Sequence, residues 1–314
     1  MKIVVTGAAG FLGRHLLPVL RMQYPNASLI GLSSQDYNLL DPTQVNKMFS
    51  EQPMDVLIHL AAYSGGIGAN GKFPADFFYI NNQLMALVFE AAAKHKIHKL
   101  IYTMGGCSYP AKARSPIDEG QMWDGYPQEE SAGYSMAKKM GLVASRAYRQ
   151  QHGLNSVVLV PGNMYGEYDN YRENESHVVP AMIRRYHEAK LAGVSQVTMW
   201  GSGAPQRDFV YASDVAAAIP YFIEHYNSSD PVNLSSGTIT SIKTLAETVR
   251  QQVGYQGDIK WDTGKPDGQM VKIFDVNRLK SLGLSCPTSL QDGLRKTIAW
   301  FQTHYADWSD GLRL

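Results

Sequence analysis

Through the first half of the chain, short apolar runs rich in β-branched residues alternate with longer stretches whose apolar positions return every three or four residues. Lys2–Thr6, Ser28–Leu32 and residues 55–60, 99–104 and 156–160 read as strands; Phe11–Gln23 and residues 43–51, 76–95 and 134–151 read as helices. Strands and helices in strict alternation predict an α/β fold: a Rossmann-type, doubly wound parallel sheet covered on both faces. Pro18 falls inside the first helix, removes one hydrogen bond, and predicts a kink or an early end there.

Past Pro161 the rhythm changes. Residues 162–176 are polar and read as a loop, residues 179–191 as a helix, Gln196–Trp200 and residues 208–211 as strands, and residues 213–225 as a helix. The expected organisation is a dinucleotide-binding domain of residues 1–163 and 208–230, with a smaller mixed α/β carboxy-terminal lobe of residues 164–207 and 231–314. Bulk numbers fit this picture. The chain has 314 residues, 44% hydrophobic and 18% charged, as in a globular protein. A formal charge of +1 gives no electrostatic case for nucleic acid or an anionic membrane. No apolar run reaches the roughly 18–20 residues of a membrane span, and no signal-peptide pattern is seen, so the cytoplasm is expected. Two cysteines, Cys107 and Cys286, are too few for a disulfide framework and wrongly spaced for zinc.

Chemistry enters at two places. Gly7, Gly10 and Gly13 recur every third residue directly after the first strand, where a tight turn, close approach to a pyrophosphate and close helix packing all call for glycine. Gly7, Gly10, Phe11, Leu12, Gly13 and Arg14 are the candidate contacts of that turn. After the second strand come Ser33 and Ser34, with Asp36 two residues on; two hydroxyls and backbone amides can take a 2′-phosphate, so NADPH is expected and NAD is the alternative. Downstream, Tyr134 and Lys138 stand one helical turn apart, a phenol able to give a proton beside an ammonium that stabilises its anion. Tyr186 and Lys190 share that spacing and read as a surface pair. Taken alone, Cys107 reads as a small buried thiol at the end of a strand, His177 as a residue opening a helix, and Cys286 as structural.

Further motifs join these: Ile58-His59-Leu60-Ala61-Ala62, Gly65-Gly66-Ile67, Cys107-Ser108-Tyr109-Pro110, Ser176-His177-Val178-Val179-Pro180, Trp200-Gly201-Ser202-Gly203 and Lys265-Pro266-Asp267-Gly268. With them the chain resembles the extended short-chain dehydrogenase/reductase family over nearly its whole length. Within that family it is most similar to the enzymes that epimerise C3 and C5 of a GDP-4-keto-6-deoxy sugar and then reduce C4 with NADPH. The resemblance implies Tyr134 and Lys138 at the hydride and proton transfer, Cys107 as the base beside the ketone, and His177 as the acid on the opposite face. It implies Ala61 and Ala62 at the cofactor, and Asn163, His177, Val178, Arg185, Trp200, Arg207 and Lys265 around a nucleotide-diphosphate sugar. It also implies a homodimer through helices 76–95 and 134–151. Three residues depart from the family pattern: Gly105 stands for an active-site serine or threonine, Gly162 for threonine and Glu167 for proline. Two other readings follow from those departures and from the scaffold: the same epimerisation on a different nucleotide-4-keto sugar with weak net reduction, or a dinucleotide-binding sensor without catalysis.

Overall fold

A computed structural model describes residues 1–173, 175–265 and 267–307; Pro266 of the Lys-Pro-Asp-Gly motif and the end of the expected second lobe, residues 308–314, lie outside the described residues. In chain order the strands are β1 (Lys2–Thr6), β2 (Ser28–Leu32), β3 (Val56–His59), β4 (Lys99–Thr103), β5 (Ser156–Pro161), β6 (Asn163–Tyr165), β7 (Gln196–Trp200), β8 (Gln206–Tyr211), β9 (Val232–Leu234), β10 (Ile239–Ser241), β11 (Asp258–Asp262) and β12 (Val271–Lys272). The α-helices are α1 (Phe11–Gln23), α2 (Pro42–Glu51), α3 (Ile67–Lys72), α4 (Pro74–Lys94), α5 (Ala132–His152), α6 (Val178–Leu191), α7 (Ala212–Glu224), α8 (Ile242–Val253), α9 (Asn277–Ser281) and α10 (Leu290–His304).

The large sheet runs β2-β1-β3-β4-β5-β9, all parallel. Side chains alternate across it. Ile3, Val5, Ile58 and Leu159 pack with Leu16 of α1 and Ile219 of α7 on one face. Val4, Leu57, Leu100 and Val158 pack with Phe49 of α2, Val88 of α4 and Leu142 of α5 on the other. Both faces are therefore covered, which is why the strands read as unbroken apolar runs rather than alternating ones. The chain leaves β1 towards β2 on one side and resumes at β3 on the other, and ligand crevices of such sheets open at the carboxyl ends of the strands flanking that reversal.

Four points differ from the sequence reading. Helix α1 does not end at Pro18; that residue lies on the exposed side and the helix runs on to Gln23. Residues 163–165, expected in a loop, form β6 beside β8, drawn there by burial of Tyr165. Strand β9, expected in the smaller lobe, is the edge of the large sheet, with Val232, Asn233 and Leu234 all buried against β5. Tyr186 is not a surface residue: it is buried in the smaller lobe and stacks on Tyr255, while Lys190 donates to the Val253 carbonyl. Around that core stand α6, α8, α10 and the parallel pair β7–β11. Strand β8 is flanked by β10, β12 and β6. Among the described residues no helix is long and apolar enough to cross a membrane.

Candidate active site

The glycine turn lies at the β1/β3 reversal. Gly7 has φ +72°, and a β-carbon on it would stand 2.7 Å from the Ala61 nitrogen, so the chain leaving β3 crosses directly over the turn. A β-carbon on Gly13 would meet the Gly7 and Ala8 carbonyls, so only glycine lets α1 begin this close to β1. Gly10 caps α1 without a side-chain bond, leaving the first N–H groups of the helix directed outward as an anion site. The turn fits a dinucleotide pyrophosphate. Leu12 points into the core, so its main chain faces the turn, and Phe11 lies edge-on to His15. Arg14 donates from Nε to the Ala9 carbonyl and lies over the Tyr168 ring. Ala62 follows Ala61 along the same crossing strand end.

Tyr134 and Cys107 meet at Gly105. A β-carbon on Gly105 would lie 3.2 Å from Cys107 Sγ, 3.5 Å from Tyr134 Cε1 and 3.9 Å from the Tyr134 hydroxyl. Two features bring α5 to this point. Gly141 has no side chain and lets the helix rest on the Tyr102 ring of β4. Ser108, one residue past the thiol, donates to the Ser135 carbonyl at 3.1 Å and ties the cysteine loop to the turn bearing Tyr134. Lys138 sits below, 3% exposed, its Nζ 4.3 Å from the centre of the Tyr102 ring. Burial lowers its pKa to about 7, with Cys107 opposing the shift. Burial also pushes the Tyr134 phenol well above its usual pKa, with Cys107 adding to the rise, so the phenol stays protonated at neutral pH. Beside them His59 accepts or donates at 2.8 Å to Thr6 Oγ1, and burial, then Lys138, lowers its pKa to about 3.

His177 opens α6 as its exposed N-cap residue. The segment leading into it packs on Gly66. The Gly66 N–H donates to the Glu175 carbonyl at 2.7 Å, and a β-carbon on Gly66 would stand 2.5 Å from the Ser176 carbonyl. Gly65 faces Phe77, whose ring meets Tyr134 edge-on at 6.2 Å. Val178 follows, exposed. On the smaller lobe Trp200 is 69% exposed with Lys265 over its ring. Arg185 donates to the Thr198 carbonyl in β7, and Arg207 to the Gln206 carbonyl, its pKa lowered by burial. Asn163 uses its amide nitrogen on the Asp208 carbonyl, which ties β6 to β8.

The sequence reading gave no role to three residues here. Lys272 of β12 is half-buried, its pKa lowered by burial, with Cys107 opposing that shift and Arg207 adding to it. A charge inside the apolar run 270–274 was its signal. Asp267 accepts from the Ser202 N–H at 2.6 Å and hydroxyl at 2.8 Å, joining the Trp-Gly-Ser-Gly and Lys-Pro-Asp-Gly turns into one clasp. Ser235 fills the space beside Gly162, where a β-carbon would overlap its hydroxyl. The other departures also have partners. Glu167 accepts from the Tyr211 hydroxyl with both oxygens, and its carbonyl bonds His15. Gly105 gains no substitute hydroxyl from its neighbours: Ser108 is spent on Ser135, and Thr103 on the His59 carbonyl.

Relatives of this chain share its overall fold. GDP-L-fucose synthase 1 of Arabidopsis thaliana is 36% identical over 96% of this chain and 93% of its own. A GDP-L-fucose synthetase from Naegleria fowleri bound to NADP superposes with a TM-score of 0.90 at 25% identity, covering 97% of this chain and 95% of that one. A GDP-6-OMe-4-keto-L-xylo-heptose reductase from C. jejuni does so with a TM-score of 0.89 at 26% identity, covering 96% and 98%. Residues 3–235, spanning the whole large sheet and its glycine turn, match the NAD dependent epimerase/dehydratase family model, and the chain is an enzyme of that family.

Proposed function

We propose that the enzyme binds NADPH and a GDP-4-keto-6-deoxy sugar, epimerises C3 and C5 of the sugar, and reduces C4. The observation that carries this reading is the convergence of the Cys107 thiol and the Tyr134 phenol on one point at Gly105, with Lys138 beneath. A C4 ketone acidifies the C–H bonds at C3 and C5, so one base on each visit of the ring suffices. Cys107 takes that proton, and His177 returns one from the other face. The bound cofactor supplies a hydride to C4. Tyr134, held protonated by burial, gives its proton to the C4 oxygen, and Lys138 supports the phenolate that remains. Arg185, Arg207 and Lys272 balance the diphosphate, while exposed Trp200 offers a stacking face for the base with Lys265 above it. In this reading the parallel sheet is the dinucleotide-binding unit and the smaller lobe grips the nucleotide. The enzyme works in the cytoplasm as a homodimer through α4 and α5, which leave Phe78, Tyr79 and Val143 exposed.

The test uses GDP-4-keto-6-deoxy-mannose in heavy water, with and without NADPH, followed by NMR. Without NADPH, deuterium is expected at C3 and C5; with it, a C4-reduced product. Cys107→Ser should abolish the exchange, and Tyr134→Phe should stop NADPH oxidation while exchange continues. Exchange with CDP-, UDP- or dTDP-linked ketosugars in place of the GDP sugar would refute the assignment. One observation favours a second reading, in which a different nucleotide-4-keto sugar is epimerised with weak net reduction: the Ser108 and Thr103 hydroxyls, which could stand in for a side chain at 105, donate to the Ser135 and His59 carbonyls.

A further inference from the structure

We propose that Asp36 sets the cofactor preference of this enzyme: its carboxylate occupies donors that a 2′-phosphate would need, so the site takes NADH alongside NADPH. The inference rests on the reading that the glycine turn holds a nicotinamide dinucleotide. Strand β2 ends beside that turn, where the Ala8 N–H donates to the Leu32 carbonyl at 3.1 Å. In sheets of this kind the end of the second strand faces the adenosine ribose. The next residue, Ser33, has both of its donors engaged by one oxygen of Asp36: the N–H at 2.7 Å and the hydroxyl at 2.8 Å. Gln35 in turn gives its N–H to the Ser33 hydroxyl oxygen at 3.2 Å. The expectation that Ser33 receives a phosphate is thus met by a carboxylate already in place.

No basic residue follows closely in the sequence. Residues 33–46 contain Asp36 and Asp41 and no lysine or arginine. Arg14 is engaged at the Ala9 carbonyl and over Tyr168, and Tyr37 donates to Glu51. Asp36 is kept ionised, since the Ser33 N–H and hydroxyl lower its pKa. A 2′-phosphate brings between one and two negative charges and acceptor oxygens, so it must displace Asp36 from Ser33 or lie against it. A free 2′-hydroxyl is a donor, and it suits the second oxygen of Asp36, which takes no hydrogen bond among the described residues.

Isothermal titration of the apoenzyme with NADP⁺ and with NAD⁺, on wild type, Asp36→Asn and Asp36→Ala, tests this. Wild type is expected to bind both, with dissociation constants within about tenfold of each other. Both variants should tighten NADP⁺ on the order of tenfold, the effect of removing one nearby charge in a partly solvated site, and loosen NAD⁺ severalfold. An unchanged NADP⁺/NAD⁺ ratio in both variants overturns the role of Asp36 and leaves the cofactor reading standing. So does a wild type that already prefers NADP⁺ by more than about a hundredfold. A wild type that binds neither dinucleotide overturns the cofactor reading and the proposal with it.

Discussion

Lys138 holds a charge where water is scarce, and the consequence is measurable without any substrate. Its pKa falls from 10.5 to about 7 because the ammonium is buried over Tyr102. Below the folded value both folded and unfolded chains carry the charge, and folding bears the whole penalty. Between the two values the unfolded chain binds the extra proton, so stability rises with pH. The penalty is roughly 5 kcal/mol at about pH 6 and roughly 2 kcal/mol at about pH 9. Lys138→Met keeps most of the side chain's volume and removes the charge. Urea unfolding of the apoenzyme, followed by circular dichroism, should find the variant more stable, with an advantage shrinking by roughly 3 kcal/mol from about pH 6 to about pH 9. His59 does not blur this comparison, since burial holds it neutral in both proteins over that range. An advantage that stays constant with pH would refute the reasoning and mean that the ammonium is solvated in the folded enzyme. The same substitution should abolish reduction, since Tyr134 would lose the charge that supports its anion.

Three more outcomes follow from the packing. Gly66→Ala places a methyl against the Ser176 carbonyl, so it should shift His177 and lower deuterium exchange into the ketosugar on the order of tenfold, with dinucleotide binding unchanged by titration calorimetry. Gly162→Thr should destabilise by about 2 kcal/mol through overlap with Ser235, and adding Ser235→Gly should recover most of it in a thermal melt; equal losses in both proteins would mean that Ser235 is not what fills the gap. Gly105→Ser should raise the rate of NADPH oxidation towards the hundredfold that such a preorganised donor contributes, read by absorbance at saturating ketosugar; an unchanged rate would mean another donor already binds the C4 oxygen.

Most of the large sheet is legible in the sequence because each of its first five strands is an apolar run followed by a helix, and burial on both faces leaves no ambiguity of period. Strand β9 is not, since three residues flanked by a proline and serines carry no periodicity; its place comes from pairing with β5. The site divides along similar lines. The glycine turn and the Tyr134/Lys138 pair announce themselves by spacing, because one turn of backbone dictates it. Cys107 does not, because it meets Tyr134 only through Gly105 and the Ser108–Ser135 bond, and neither does His177, whose preceding backbone packs on the distant Gly66. Asp36 was visible as a carboxylate near a strand end, but its hold on Ser33 depends on how the loop closes. Lys272 and Asp267 belong to the same class: their effect comes from what they approach.

The three departures from the family pattern are unequal once their neighbours are known. At Gly162 the Ser235 hydroxyl occupies the place where a β-carbon would stand. At Glu167 a carboxylate clamps Tyr211 and its carbonyl bonds His15, so the loop leading to His177 is held by other bonds. Gly105 alone leaves a hydroxyl's place beside both the thiol and the phenol. A serine there would press on Cys107 Sγ as well as reach the substrate oxygen, so one position bears on both halves of the chemistry. Its absence gives the thiol more room and the C4 oxygen one donor fewer. Reduction needs the donor that the second removes. On the proposed mechanism a glycine at 105 would favour epimerisation over reduction, and the rate of NADPH oxidation by Gly105→Ser decides it.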